Sequence, residues 1–312
     1  MLDALVTADI VTDDPDSWAG RLRETLELPD PEDYIAYDPP GRVGFREVPG
    51  RGFRSTWLRV QPSLQVAPTL VQLIALRPRD AVYIYLAERI GAQGQRPVRT
   101  HATFIAGDVE AVIAHATRNN VRHRVTAPDA DMPFPRVWLG VTDAEPALYD
   151  PSVDAGLWTE VVPTETLAIP EPFDPEIDAL TSDRYPVRVV TRRFLVADLE
   201  TSIRSLEQSL AWHPTTRHSD DEVASATYSF ALQRSADIEI AQPLTDDAFG
   251  GFARKWGPGP HAIVLSVHDL DASNDRLSSG GMKTHVVDGD QRRLILPAEA
   301  TCGTPFELVQ HG

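Results

Sequence analysis

The stretch VTRRFLVADLETSIRSLEQSL, from Val190 to Leu210, decides the fold because it joins a strand to a helix through one aspartate. Alternating apolar residues before the aspartate are typical of a strand with one buried face. Asp198 lies where the carboxylate of a helix N-cap accepts free backbone N–H groups. The apolar residues after it recur at helical spacing, as Leu199, Ile203, Leu206 and Leu210. The stretch therefore predicts a strand followed directly by an amphipathic helix.

The same pattern occurs at three other places in the chain. Strand, aspartate and helix recur in LVTADIVTDDPDSWAGRLRETL from Leu5, HATFIAGDVEAVIAHATRNN from His101 and AIVLSVHDLDASNDRLSSGG from Ala262. Short apolar strands follow each helix, such as VGFREV, STWLRV and LVQLIAL after the first. We therefore predict an α+β protein built from four βαβββ modules. The alternative is that a protein of mixed structure contains such segments by chance.

A proline-rich stretch divides the chain into near-equal halves. Residues 163–186 contain prolines at five positions and little periodic apolar content. Proline fixes φ and lacks a backbone N–H donor, which favours an extended connector. We predict a first domain over residues 1–165, a linker over 166–186 and a second domain over 187–312. A surface strap within a single domain is the alternative.

Charge and composition exclude several classes of function. The chain has 46 acidic and 29 basic residues and a formal net charge of −17, which disfavours binding to nucleic acid or anionic membranes. The single cysteine, Cys302, excludes an intrachain disulfide and fits a reducing compartment. No apolar run approaches the roughly 20 residues of a membrane span, and the first residues carry no secretory pattern. We expect a cytoplasmic protein, a monomer or homodimer, whose partner is a small molecule.

The end of the chain carries a resemblance to a known superfamily. The segment GPGPHAIVLSVHDLDAS from Gly257, followed by CGTPFELVQ from Cys302, resembles the closing module of vicinal oxygen chelate proteins. The preceding module, with DIEIAQPL from Asp237, is similar to their other module. This superfamily includes glyoxalase I, methylmalonyl-CoA epimerase, extradiol dioxygenases and bleomycin-resistance proteins. The resemblance implies four modules paired into two glyoxalase-like domains, whose curved mixed sheets close around a cleft, and it implies no single reaction.

The resemblance also implies positions for metal ligands. In this superfamily they stand on the first strand of a module, seven residues before the capping aspartate, and on its last strand. In the first half His101 occupies the first-strand position of one module and Thr7 that of the other, while Gln72 and Glu160 lie on last strands. A divalent zinc, nickel, manganese, iron or cobalt ion would then be held by Gln72, His101 and Glu160, with Glu160 moving the proton. The alternative is that Gln72 and Glu160 face solvent.

The second half matches the ligand positions less well. Glu239 and Glu307 lie on last strands, but His261 is one residue from the first-strand position. A shift of one residue turns a strand side chain to the opposite face, so only a change of register would return His261 to the cleft. We name Glu239, His261 and Glu307 as candidates in the second-half cleft. The missing histidines argue against ring-cleaving dioxygenase chemistry.

Two functions stay open on the sequence alone, and substrate-binding residues are not identified. The first is metal-dependent lyase or isomerase chemistry, as the resemblance implies. The second is non-catalytic binding of a drug or metabolite, as in bleomycin-resistance proteins, where an aromatic-lined cleft takes an apolar or cationic molecule. The net negative charge favours a cation. Arg192 and Arg193 are expected on a solvated face, with binding of an acidic substrate as the alternative.

Overall fold

The structure is a computed structural model that describes residues 1–34, 53–76, 90–128, 134–146, 148–167, 180–245, 248–288 and 292–312. The first half forms a mixed sheet of strands β1 (Leu2–Val11), β2 (Phe53–Leu58), β3 (Leu70–Leu76), β4 (Thr103–Gly107), β5 (His123–Thr126), β6 (Arg136–Leu139) and β7 (Thr159–Pro163). Their order across the sheet is β2-β3-β1-β4-β7-β6-β5.

The second half forms another mixed sheet. Its strands are β8 (Arg188–Leu195), β9 (Thr216–Ser219), β10 (Val223–Tyr228), β11 (Asp237–Pro243), β12 (Gly259–Val267), β13 (His285–Val287), β14 (Arg293–Leu296) and β15 (Phe306–Gln310). Their order is β13-β14-β15-β12-β8-β11-β10-β9. In both sheets the first strands of two modules pair antiparallel, β1 with β4 and β8 with β12. The last strand of each module pairs parallel with its own first strand.

The helices of the described residues are α1 (Pro15–Leu26), α2 (Val109–Arg118), α3 (Leu199–Leu210), α4 (Ala248–Trp256) and α5 (Leu270–Ser279). Short 3-10 turns occupy Pro31–Asp33, Thr164–Leu167 and Ala298–Ala300. Within the described ranges, no helix combines the length and the apolar character that crossing a bilayer requires.

All four predicted capping aspartates cap helices. The carboxylate of each accepts a hydrogen bond from the backbone N–H three residues later, at 3.1 Å for Asp14, 2.9 Å for Asp108, 2.6 Å for Asp198 and 2.9 Å for Asp269. Together with the module pairing, this confirms the predicted α+β fold class. One predicted strand of the first module, VGFREV, lies outside the described residues.

Two elements differ from the sequence prediction. The polar run AWHPTTRHSDDE has no alternation of apolar residues that would predict a strand, but Thr216–Ser219 within it is an edge strand with every residue exposed. An edge strand with no buried face needs no apolar alternation, so the pattern hides it. Helix α4 was not predicted, because Gly250 and Gly251 lower its helix propensity. Contacts of its aromatic side chains with the second sheet, described below, compensate for that low propensity.

One apolar cluster extends through both halves. It contains the buried faces of α1 and α2 in the first half and of α3 and α5 in the second. Helices α2 and α3 lie in contact, and His115 Nε2 of α2 lies 2.9 Å from the carbonyl oxygen of Gln208. The two sheets thus pack through their helix layers. The predicted division into two domains stays a prediction, and most of the predicted linker, residues 168–179, lies outside the described part.

Candidate functional site

We call the side of each sheet opposite its module helices the inner face. In the second sheet, Phe194, Ile240 and Phe306 belong to the apolar cluster under the helices. Successive side chains of a strand point to opposite faces. Three side chains therefore lie on the inner face, one on the first strand β8 and one on each of the last strands β11 and β15, namely Arg193, Glu239 and Glu307.

The guanidinium of Arg193 binds both carboxylates. Its Nε donates to Glu239 Oε2 at 2.6 Å, and its Nη1 donates to Glu307 Oε1 at 2.5 Å. Arg293 Nη1 donates to the other oxygen of Glu307 at 3.2 Å. We call Arg193, Glu239 and Glu307 the Arg193 centre. With Arg293 included, its two positive and two negative charges balance.

Arg193 and Glu307 of the Arg193 centre are buried and ionised, whereas Glu239 is half-buried. Arg193 is 8 % exposed and Glu307 is 3 % exposed. Burial disfavours the charged form of Glu307, but the charges of Arg193 and Arg293 outweigh it and lower the pKa of the carboxyl. Burial likewise opposes the charge of Arg193, and the two carboxylates reverse this effect and raise its pKa. The expectation that Arg192 and Arg193 lie on a solvated face is wrong, since both are buried.

A β-bulge changes the position predicted for His261. Strand β12 pairs Pro260 with Phe194 and Ala262 with the adjacent Arg193, so His261 is the extra residue of an irregular register. Its ring packs edge-on against Phe249 and Phe252 of α4, with centroids 5.0 and 4.9 Å away. The charges of Arg193 and Glu307 both act on the imidazole. The bulge thus brings His261 to the Arg193 centre, although its place one residue from the first-strand ligand position predicts the opposite face.

The imidazole of His261 is neutral and its Nδ1 has no hydrogen-bond partner. Burial, followed by the charge of Arg193, lowers its pKa from the ordinary 6.5 to about 3. Two carboxylates and a neutral imidazole are donors that borderline divalent metals prefer. A metal ion nevertheless does not fit among these residues as they stand, because the guanidinium of Arg193 occupies the point where the carboxylates converge.

The first half brings Gln72 and His101 to the same aspartate. Gln72 of β3 pairs with Asp9 of β1 in the parallel register. Asp9 Oδ2 accepts hydrogen bonds from the backbone N–H of His101 at 2.6 Å and lies 2.9 Å from its Nδ1. Thr100 donates its hydroxyl to the other carboxylate oxygen. A proton on Nδ1 of His101 would leave Nε2 as its free nitrogen, an arrangement common among metal-bound histidines.

Across the first sheet, Glu160 lies level with Thr7 of β1, whereas Gln72 lies level with Asp9. Phe104 pairs with both Thr7 and Glu160, whereas Gln72 pairs two residues further along β1. The Glu160 carboxylate lies 3.7 Å from Arg136 Nη1. Gln72 and Glu160 are 5 % and 2 % exposed, so the alternative that they face solvent is wrong.

The metal set Gln72, His101 and Glu160, and the proton-transfer role of Glu160, stay predictions. Throughout the described ranges, no three His, Cys, Asp or Glu side chains are grouped as ligands of one ion. Sequence reasoning missed Asp9 and Arg136, which contact two of the three predicted ligands. Their positions follow from strand register, which no local motif encodes.

A cleft of about 570 Å³ lies between the halves. Its walls include Tyr149 and Trp158 of the first half, with Asp198 and Trp256 of the second. We call it the inter-half cleft. The rings of Tyr149 and Trp158 stack at 3.7 Å, and the Trp158 backbone N–H donates to the Tyr149 hydroxyl at 3.0 Å. Trp158 is buried and also lines this cleft.

Arg96 fixes the floor of the inter-half cleft. Its Nη2 donates to the carbonyl oxygens of Pro260 at 3.2 Å and Gly257 at 3.4 Å, and its Nη1 donates to that of Pro258. A Cβ at Gly259 would press on this guanidinium, and its φ of +133° is a backbone conformation that residues with a side chain rarely adopt. The positive φ therefore requires glycine at this position, and the bonds of Arg96 tie the first half to the start of β12.

Comparison with known proteins adds fold neighbours. A methylmalonyl-CoA epimerase from Mycobacterium tuberculosis is 23% identical, with a TM-score of 0.37, over 41% of this chain and 89% of its own. A Streptomyces coelicolor methylmalonyl-CoA epimerase variant in complex with 2-nitronate-propionyl-CoA is 18% identical, with a TM-score of 0.36, over 41% and 99%. A hypothetical protein from Bacillus halodurans C-125 is 17% identical, with a TM-score of 0.36, over 40% and 94%. Methylmalonyl-CoA epimerase is one of the vicinal oxygen chelate proteins that the sequence resembles. No protein-family profile and no curated protein sequence matches the chain.

Replacing Arg193 should destabilise the protein strongly. Arg193→Met leaves the buried carboxylate of Glu307 and the half-buried carboxylate of Glu239 without their shared guanidinium, which we expect to lower the free energy of unfolding by about 3 kcal/mol. Urea unfolding followed by circular dichroism measures this change. The control is Arg292→Met, which removes an exposed pair with Asp271 at 2.7 Å and should cost roughly 1 kcal/mol or less. Equal small losses in both variants would contradict the ionised, buried centre.

His261 should make the protein less stable in acid. Its pKa is about 3 in the folded state against 6.5 for an ordinary histidine, so below pH 6.5 the unfolded chain binds the extra proton. Stability is therefore lost as pH falls through this range, by at most about 1.4 kcal/mol per pH unit. Arg193, Glu307, Arg192 and Arg96 act on the ring and are unchanged in His261→Phe. The variant should show a shallower decline in urea-unfolding free energy between about pH 6.5 and pH 4.5. Parallel declines would exclude this role.

Proposed function

We propose that the protein binds a planar apolar or cationic small molecule in the inter-half cleft, and that this binding needs no metal. The volume of the cleft, about 570 Å³, is the observation that carries the proposal. Pockets for small molecules span roughly 300–1,000 Å³ and combine apolar walls with a few polar groups. The sequence left open non-catalytic binding of a small molecule in a cleft lined by a curved sheet. The proposed function is binding of the same kind, but in the cleft between the two halves.

The chemistry of the walls favours a cation. Trp256 is half-buried and already has the ammonium of Lys255 over its ring, 4.7 Å from the centroid. A positive charge gains about 0.5–2 kcal/mol from the face of an aromatic ring. Asp198 adds an exposed carboxylate at the same cleft, whereas the guanidinium of Arg96 is directed at backbone carbonyls. A ligand with a flat ring system and a positive charge therefore suits this cleft better than an anion.

Binding of two matched probes tests the proposal. We expect 9-aminoacridine, a planar cation, to bind more tightly than acridine-9-carboxylate, a planar anion of similar size. Trp256→Ala should weaken binding of the cation about five-fold, because the cation–ring contact is worth roughly 1 kcal/mol. Fluorescence titration of the probe gives both dissociation constants.

Trp18→Ala is the matched control, since Trp18 is a half-buried tryptophan that does not line the cleft. It should leave the affinity for 9-aminoacridine unchanged. Equal affinity for the two probes, or equal weakening by both tryptophan variants, would contradict the proposed site.

A metal-dependent reaction in the first half is the second candidate. The contact between Asp9 and His101 Nδ1 favours it, because metal-bound histidines commonly donate their other N–H to a carboxylate. Gln72, His101 and Glu160 would hold a divalent ion that binds adjacent substrate oxygens as a Lewis acid.

Elemental analysis of protein purified without chelator tests the second candidate. If a metal is held in the first half, the wild-type protein should contain about one equivalent per chain and His101→Ala should lose it. His115→Ala is the control, since His115 lies on α2 and bonds to Gln208. Wild-type protein that stays metal-free after incubation with Zn²⁺, Ni²⁺, Mn²⁺, Fe²⁺ or Co²⁺ would exclude this candidate.

A further inference from the structure

The Arg193 centre has the donor groups of a metal site. Two carboxylates, Glu239 and Glu307, converge on one point from the last strands of two modules. They come together because β8 and β12 pair antiparallel, while β11 and β15 flank them in parallel register. The converging point is occupied by the guanidinium of Arg193.

The imidazole of His261 is a third donor group near this point, since it packs against Phe249 as the guanidinium of Arg193 does. His261 is 6 % exposed, and its Nδ1 is buried with no hydrogen-bond partner. A buried polar atom without a partner costs about 1–3 kcal/mol, and such atoms in folded proteins call for an explanation. The aromatic rings of Phe249 and Phe252 hold the imidazole edge-on, so it cannot turn freely toward water.

The charges of the centre also match a cation. Glu239 and Glu307 carry two negative charges, and buried carboxylates require a counter-charge. Arg193 supplies one positive charge from between the carboxylates, and Arg293 supplies a second from the neighbouring strand β14. A divalent ion would supply the same compensation from a smaller volume than the side chain of arginine.

We propose that the Arg193 centre is a divalent-cation site whose cation is supplied by the chain itself. Arg193 occupies the position of the ion and excludes it, so that Glu239, Glu307 and His261 are not grouped as ligands of one ion while it is present. Removal of the guanidinium should allow these three side chains to close on a divalent ion. One imidazole nitrogen and carboxylate oxygens suit Zn²⁺, Mn²⁺, Fe²⁺, Co²⁺ and Ni²⁺. Unlike the proposed ligand binding, this inference concerns the inner face of the second sheet and does not involve the inter-half cleft.

The decisive experiment compares metal binding before and after removal of the guanidinium. All proteins carry His101→Ala, which removes the first-half candidate as a source of bound metal. After equilibrium dialysis against Co²⁺ or Zn²⁺, the parent should contain no metal, and Arg193→Ala should contain about one equivalent per chain. Co²⁺ should also give the visible absorption of a protein-bound ion only with Arg193→Ala.

Two further variants identify the ligands. Glu307→Gln in the Arg193→Ala protein removes a carboxylate, and we expect metal affinity to fall at least ten-fold. His261→Phe in the same protein should alter the Co²⁺ spectrum and weaken binding similarly. Metal bound by the parent, or metal whose affinity and spectrum do not change in either variant, would overturn the proposal.

Folding of the variants is controlled separately. Arg193→Ala leaves two uncompensated carboxylates, so its thermal unfolding is measured with and without Zn²⁺, and the metal should raise the midpoint. The combination Arg193→Met, Glu239→Gln and Glu307→Gln replaces the charged groups by neutral ones of similar size. If this neutral variant folds while Arg193→Ala neither folds with metal nor binds it, the proposal is wrong. Because the inter-half cleft lies elsewhere, binding of 9-aminoacridine reports independently on the proposed function.

Discussion

The antiparallel pairing of β8 with β12 determines which side chains meet in the second half. Each of these first strands carries the last strand of its own module in parallel register, so Glu239 comes beside Arg193 and Glu307 comes beside Val264. A change of register by one residue would move all side chains of a strand to the other face. Strand β12 pairs with β8 through two local irregularities, one at His261 and one between Val264 and Leu265. The strand register therefore determines which side chains lie on the inner face.

Charge compensation then decides what this inner face can do. Buried carboxylates persist only when a hydrogen-bonded positive group accompanies them. A guanidinium bound to the chain supplies that charge permanently, and it offers donors in one plane with no open coordination position. A substrate oxygen could not bind there as it binds to a Lewis-acidic ion. The Arg193 centre consequently links the last strands of two modules, and we propose the inter-half cleft as the place where a ligand binds instead.

The sequence predicted the parts of this arrangement that have a local signature. The capping aspartates follow from a short pattern and cap helices in the structure. Glu239 and Glu307 lie on last strands, the positions that the resemblance implies for them. The partners of those carboxylates could not be predicted, because adjacent arginines read as a charged, solvated face. Both arginines are buried because α4 covers one face of the sheet and the first half covers the other. Likewise, the inter-half cleft depends on how the two halves pack, which no single segment encodes.

The two halves carry opposite charges at corresponding positions of a first strand, a carboxylate in the first half and a guanidinium in the second. Asp9 pairs with Gln72 as Arg193 pairs with Glu239, so the two residues hold corresponding positions on the first strands of their halves. Burial raises the pKa of Asp9, but the bonds from His101 and Thr100 and the charge of Arg192 outweigh it. His101 thus has a structural partner whether or not an ion binds. Arg192 donates to the carbonyl oxygen of Asp9 at 3.2 Å, while Arg193 on the opposite face neutralises Glu239 and Glu307. Because strand side chains alternate, the two consecutive arginines act on opposite faces of β8. Arg192 joins the second half to the first, and Arg193 balances the negative charges on the inner face of the second sheet.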